Sequence, residues 1–137
     1  VLAMVALRLG AETAVGEDVD PVAIDCARDY AQTNGFDGQL TLVVRDAQAA
    51  RAQDWFNPTL VLANLDRQTL LLAADSVCAY ASGGARLLLS GLLVDQRAEI
   101  EAAYAARGVY VKAVREREGW LALEATGMES CEGGLCS

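Results

Sequence analysis

Along this chain the apolar positions fall in short blocks whose period switches repeatedly between that of a helix and that of a strand. Residues 1–9 are almost wholly apolar and are closed by Gly10, which predicts a buried helix. Residues 13–17, centred on Val15, predict a strand that runs into Asp18-Val19-Asp20. Asp20 then holds an N-cap position with Pro21 at the first helical site, where the missing N–H has no partner to lose, and Asn34-Gly35 marks the far end. Inside that helix Val22, Cys26 and Tyr30 recur at every fourth position with Ala23, Ala27 and Ala31 beside them. One buried stripe is expected, with Asp25, Arg28, Asp29 and Gln32 on the wet side.

Residues 40–44 and 59–63 are short runs rich in β-formers, of the kind buried on both faces of a sheet. Residues 47–53 between them suit a short helix, and residues 68–81 a longer one that stops at Ser82-Gly83-Gly84 before a strand at 86–90. Residues 94–107 return to helical spacing, with Ile100 and Tyr104 four apart and Gly108 as the stop. Val109, Val111 and Ala113 then alternate with Tyr110, Lys112 and Val114, and residues 120–124 follow a polar turn at 115–119, which predicts a terminal hairpin. Strands alternating with helices predict a doubly wound α/β fold: a mostly parallel sheet covered on both faces, with one antiparallel edge strand from the hairpin.

A chain of 137 residues is expected to form one domain, here residues 1–125 with a small, polar tail at 126–137. Apolar residues make up 53% and charged ones 22%, enough to bury a core. Nineteen acidic against 11 basic residues give a net charge of -8, which opposes direct nucleic-acid binding; ten scattered arginines and the lone Lys112 form no evident basic cluster. A basic protein partner is electrostatically easier. The apolar runs fall short of the roughly 20 residues needed to span a bilayer, and residues 1–9 have no basic n-region before them or small-residue cleavage site after them, so a soluble protein is expected. Cys26 and Cys78 sit in apolar helical patterns and are expected as buried thiols, whereas Cys131 and Cys136 in the tail suit a disulfide or half a metal site. Without any histidine, neither a zinc site nor a serine- or cysteine-histidine hydrolase is expected.

Ligands of open α/β sheets bind beyond the carboxyl ends of the strands, where Asp18, Asp46 and Asn64 fall. Asp18 suits the two hydroxyls of a ribose, because Asp20 already holds the capping position. Asp46 suits the exocyclic amine of an adenine, with capping of the next helix an equal alternative. Asn64 offers an acceptor and a donor for a cofactor's amino-acid end or a substrate nitrogen, against a simpler turn-forming role ahead of Asp66. Gly83-Gly84 precedes a strand and so reads as a helix terminus, not a phosphate cradle. Trp120 reads as a packing residue, with lining of a substrate surface the alternative. Methyl transfer is compatible with this inventory, since a sulfonium cofactor is already electrophilic and the protein chiefly orients the nucleophile.

Taken in order, Val15-Gly16-Glu17-Asp18-Val19-Asp20-Pro21, Thr33-Asn34-Gly35, Leu62-Ala63-Asn64-Leu65, Ser82-Gly83-Gly84-Ala85-Arg86-Leu87, Leu89-Ser90-Gly91-Leu92-Leu93 and Arg115-Glu116-Arg117-Glu118-Gly119-Trp120 carry a resemblance. From Val1 to about Ala125 the sequence is similar to the catalytic domain of the bacterial ribosomal-protein methyltransferases of the PrmA type, which modify large-subunit protein L11. The resemblance implies a Rossmann-like class I methyltransferase sheet and S-adenosyl-L-methionine as cofactor. It further implies Asp18 on the ribose, Asn64 near the methionyl part and the incoming amine, and a cytoplasmic setting. Methyl groups would pass to lysine side-chain and amino-terminal nitrogens of the ribosomal protein, which must be neutral to attack; no base is assigned. The family's first strand, which lies mid-sheet between the strands ending at Asp18 and Asn64, and its Gly-rich loop belong upstream of Val1. The chain is therefore expected to be a truncated domain, inactive alone. Competing readings are a nicotinamide-nucleotide domain, a partner-binding module, and a methyltransferase for RNA or a small molecule. Against an RNA base stands Asn64-Leu65-Asp66-Arg67 where amino-methyltransferases of bases carry Asn-Pro-Pro-aromatic.

Overall fold

The computed structural model describes residues 1–49 and 57–128. They belong to two compact units, Val1–Ala50 and Arg51–Ser137.

The first unit runs α1 (Leu2–Arg8), β1 (Ala14–Asp18), α2 (Pro21–Thr33), β2 (Leu40–Val44) and a single 3-10 turn (Ala47–Ala49). The strands pair in parallel from Ala14 opposite Leu40 to Asp18 opposite Val44. Helix α2 begins and ends where its punctuation requires. The Val22 N–H donates to Asp20 Oδ1 at 2.8 Å, and at the other end Gly35 turns left-handed at φ 74° while the Phe36 N–H closes onto the Ala31 carbonyl. The Arg8 guanidinium lies 5.2 Å from the centre of the Phe36 ring, a cation–π contact that ties α1 to the loop after α2.

Two expectations fail here. The buried stripe of α2 is Ile24 and Ala31, whereas Val22 and Tyr30 are 66% and 63% exposed and Cys26 is an exposed thiol. Residues 24, 27 and 31 also lie on one helical face, and there small alanines let the helix approach its sheet closely. Helix α1 forms as expected but is not buried: Leu7 is its buried residue, while Val1, Val5 and Leu9 are exposed. Two turns lying against one strand have one stripe to hide.

The second unit contains β3 (Leu60–Asn64), α3 (Arg67–Leu72), α4 (Ala74–Ser82), β4 (Arg86–Leu93), a 3-10 turn (Val94–Gln96), α5 (Arg97–Ala105), β5 (Val109–Arg117) and β6 (Trp120–Gly127). Its sheet has the order β3-β4-β6-β5. β3 and β4 are parallel, and β6 runs antiparallel to both β4 and β5. The antiparallel strand is thus interior, not the edge strand expected. β6 carries buried Leu121, Leu123 and Ala125, whereas most of β5 is exposed, so the more apolar arm of the hairpin takes the inner place.

One face of this sheet, with Leu87, Leu89, Leu92 and Leu123 fully buried, packs with Leu70 and Val77 of the α3–α4 segment and with Ile100 and Tyr104 of α5. The Tyr104 hydroxyl donates to the Leu70 carbonyl at 3.1 Å, satisfying an acceptor near the end of α3. Cys78 is buried as expected, and burial pushes its thiol up to about 11. The single helix expected over 68–81 is two, bent at Ala73 (ψ 4°) with no proline or glycine to mark it. The bonds from Ala73 N–H to Thr69 and from Val77 N–H to Ala73 continue across the bend. Gly84 turns at φ 97° to end α4, as its position before a strand required. The hairpin closes on only two residues, Glu118 and Gly119, both left-handed at φ 52° and 82°, the conformation of a primed turn. Arg117 and Trp120 pair directly, and β6 runs to Gly127, past the end expected at 124. The rest of the helix expected to residue 53, and Cys131 and Cys136, lie outside the described residues.

Candidate functional site

All three strand-end residues lie where the alternation of elements puts them. Asp18 ends β1 and is exposed. It is not idle, as the spacing suggested: its Oδ1 accepts the Asp20 N–H at 2.9 Å, an Asx turn that orients the carboxylate while engaging one of its oxygens. Asp46 lies two residues beyond β2, at the same end of the parallel pair as Asp18. Its Oδ1 accepts the Gln48 N–H at 2.8 Å and its carbonyl accepts from Ala49, so the capping alternative is realised.

Asn64 ends β3, directly opposite Ser90 on β4. The turn that follows does not need it. Asp66 caps α3 by itself, Oδ1 accepting the Thr69 N–H and Oδ2 the Thr69 hydroxyl, both at 2.9 Å. Those bonds hold the Asp66 carboxyl below its ordinary value of 3.8. A depressed carboxyl contributes stability that is present above the ordinary value and lost as pH falls through the lower folded one. A carbon-detected NMR titration is therefore expected to give Asp66 a midpoint below 3.8, and Thr69→Ala to return it upward. The backbone bond, the larger cause, remains in that variant, so an unchanged midpoint would remove only the Thr69 hydroxyl as a cause.

The Asn64 amide is set by two residues that sequence reasoning did not single out. The Ser90 hydroxyl donates to Asn64 Oδ1 at 3.2 Å. Gly91 has φ 87°, and a Cβ there would stand 2.9 Å from both Asn64 Oδ1 and the Leu65 carbonyl oxygen. The available signal was a glycine inside a leucine-rich strand, the usual mark of a bulge or a close approach. The β4–β6 register does slip between Ser90 and Leu92.

These residues open onto a cleft of about 400 Å³ lined by Asn64, Ser90, Gly91, Arg115, Trp120 and Ala122, among others. The strand register explains why. Asn64, Ser90, Ala122 and Arg115 form one row across all four strands, and Trp120 opposes Arg117 in the next row on that face. Trp120 is 56% exposed, so it lines a surface and is not the packing residue expected. A fixed amide at the mouth of an open cleft with an indole wall can orient a neutral nitrogen nucleophile. Among the described residues no group of three or more potential ligands gathers to hold a metal, and no helix is long and apolar enough to cross a membrane.

The ribosomal protein L11 methyltransferase (PrmA) family matches residues 1–127. The ribosomal protein L11 methyltransferase of Chromohalobacter salexigens is 39% identical over 122 residues, 88% of this chain and 39% of that protein. The chain spans about two fifths of the length of the curated relatives it matches. Among solved structures, the ribosomal protein L11 methylase of Lactobacillus delbrueckii subsp. bulgaricus superposes with a TM-score of 0.81 at 21% identity, covering 93% of this chain and 64% of that one. An O-methyltransferase of neocarzinostatin biosynthesis, solved with S-adenosylmethionine, gives 0.63 at 15% identity, covering 91% and 45%. The last two likenesses establish the methyltransferase fold. By the extent of the family match and the identity to its curated members, this chain belongs to the ribosomal protein L11 methyltransferase (PrmA) family.

Proposed function

We propose that this chain serves S-adenosyl-L-methionine-dependent methylation of ribosomal protein L11 at lysine side-chain and amino-terminal nitrogens, in the cytoplasm and without direct contact to nucleic acid. Asp18 accepts from the ribose hydroxyls, Asp46 accepts from the exocyclic amine of the adenine through the carboxylate oxygen that does not bond the Gln48 N–H, and Asn64 lies near the methionyl part and orients the acceptor amine. The observation that carries this reading is the Asn64 amide, spared from the turn by Asp66 and held by Ser90 at the mouth of a cleft. The residues suit the cofactor chemically: carboxylates accept what hydroxyls and an amine donate. When bound, the cofactor supplies the electrophilic methyl group. The protein's part is to direct a neutral nitrogen toward it, and at that point Asn64 Oδ1 is an acceptor for one of the nitrogen's hydrogens.

Calorimetric titration of S-adenosyl-L-methionine tests this. It is applied to the chain itself and to a version carrying, ahead of Val1, the strand and Gly-rich loop that the family resemblance implies. The longer version is expected to bind. Asp18→Asn, which keeps an acceptor for the Asp20 N–H but removes the charge, is expected to weaken binding about tenfold or more, the scale of hydrogen bonds to a charged group. Full-strength binding by that variant would take Asp18 out of the cofactor site.

A further inference from the structure

The charges of the described residues are unevenly satisfied. Arg28, Arg45, Arg67, Arg86, Arg97 and Arg107 each have a carboxylate partner, and Arg8 lies over Phe36. Among the described residues, the side-chain cations left with neither a carboxylate nor an aromatic partner are Lys112, Arg115 and Arg117, all on β5. In a chain with 19 acidic residues to 11 basic ones, three unneutralised cations on one strand are not a matter of short supply.

Two of them share a surface with the candidate site. Arg115 and Arg117 alternate on β5, so their Cα atoms are about 6.6 Å apart and project to the same face. Both line the cleft with Trp120 and Asn64. Glu116, between them, also borders the cleft, but it pairs with buried Leu121, so its side chain alternates to the other face of the hairpin from the two arginines. Like charges held side by side repel, and a planar carboxylate between two guanidinium groups relieves that repulsion with charge-assisted hydrogen bonds. The indole of Trp120, directly opposite Arg117, gives the adjoining backbone an apolar floor.

We propose that Arg115, Arg117 and Trp120 form a docking site for a peptide carboxylate, an aspartate or glutamate side chain close in sequence to the amine presented at Asn64. The choice of a peptide rests on the protein-methylation reading above. A polyphosphate backbone is the weaker candidate, because it meets the repulsion of the net charge of -8 along its whole length, whereas a single carboxylate meets only the local pair.

The test follows the Trp120 indole N–H resonance of this chain, assigned with Trp120→Phe, during titration with three probes at low salt. They are acetyl-Ala-Lys-Ala-Glu-Ala-amide, its glutamine counterpart, and an oligouridylate. The glutamate peptide is expected to bind about tenfold more tightly than the glutamine peptide. The ratio should fall to about one in Arg115→Gln/Arg117→Gln, with the thermal midpoint kept, and persist in Lys112→Gln. A ratio near one in the unaltered chain, a ratio that survives the double substitution, or no indole shift with either peptide overturns the proposal. So does arginine-dependent binding of oligouridylate that exceeds binding of the glutamate peptide. The cofactor titration is a separate reading: its failure beside a preserved glutamate preference would remove methyl transfer and leave the docking site standing.

Discussion

Replacing Tyr104 by alanine is expected to lower the unfolding free energy of the second unit by about 3–5 kcal/mol, the range for truncating a large buried aromatic. The side chain is 1% exposed, beside fully buried Leu70 and Ile100. Its loss would leave a cavity and orphan the Leu70 carbonyl, which now accepts the hydroxyl. Tyr104→Phe separates the two effects by keeping the ring and dropping the hydrogen bond, for about 1 kcal/mol. Urea unfolding followed by circular dichroism measures both. A phenylalanine variant as unstable as the alanine one would mean that the hydroxyl, not the ring, anchors α5. Burial is the first cause of the raised Tyr104 hydroxyl. Because a raised acid ionises first in the unfolded chain, stability should hold below pH 10 and fall as pH climbs past that ordinary value. Cys78, raised from 9.0 to about 11, adds to the alkaline loss from its own ordinary value upward, so Tyr104→Phe should flatten only part of that limb.

Gly91→Ala is expected to be nearly as damaging, at about 3 kcal/mol, from two sources. A left-handed residue with a Cβ is worse by about 1–2 kcal/mol, and overpacking a fitted position adds a similar amount. The new methyl would stand 2.9 Å from the Leu65 carbonyl oxygen, which is backbone and cannot swing away, and 2.9 Å from Asn64 Oδ1, which can. The amide would therefore be displaced even in molecules that fold. Ser90→Ala is the comparison, since it removes the hydroxyl bond to Asn64 without touching the backbone, and a loss of about 1 kcal/mol or less is expected. Equal stabilities for the glycine variant and the native chain would mean that β4 can straighten at the bulge without penalty.

Much of this architecture was legible because its signals are local. Asp20, Pro21 and Gly35 delimit α2 through bonds that reach only a few residues, and β2 forms over the very residues expected. What misled was distance along the chain. The order β3-β4-β6-β5 depends on which arm of the hairpin finds the better apolar neighbour, and that choice is absent from the hairpin's own pattern. On α2 the expected stripe held Ala31, which is buried, but it also took in bulky Val22 and Tyr30, which are exposed, and it missed Ile24. At the site, Asp18, Asp46 and Asn64 were found by position at strand ends. Ser90 and Gly91 were not, because their role is a contact across 26 residues or more in sequence. For Trp120 the sequence favours packing, with lining of a substrate surface as the alternative; only the register, which puts it on the open face beside Arg117, decides for the second.

The two-residue turn at Glu118-Gly119 has a consequence for the order of events during folding. Closing so short a loop sacrifices little chain entropy, and hairpins form on the order of 1–10 µs. The parallel β3–β4 pair must wait for a crossover through two helices to be gathered in. The last strands of the chain are thus expected to assemble first. Trp120 is set against Arg117 at that stage, and β4 later docks on a template already made.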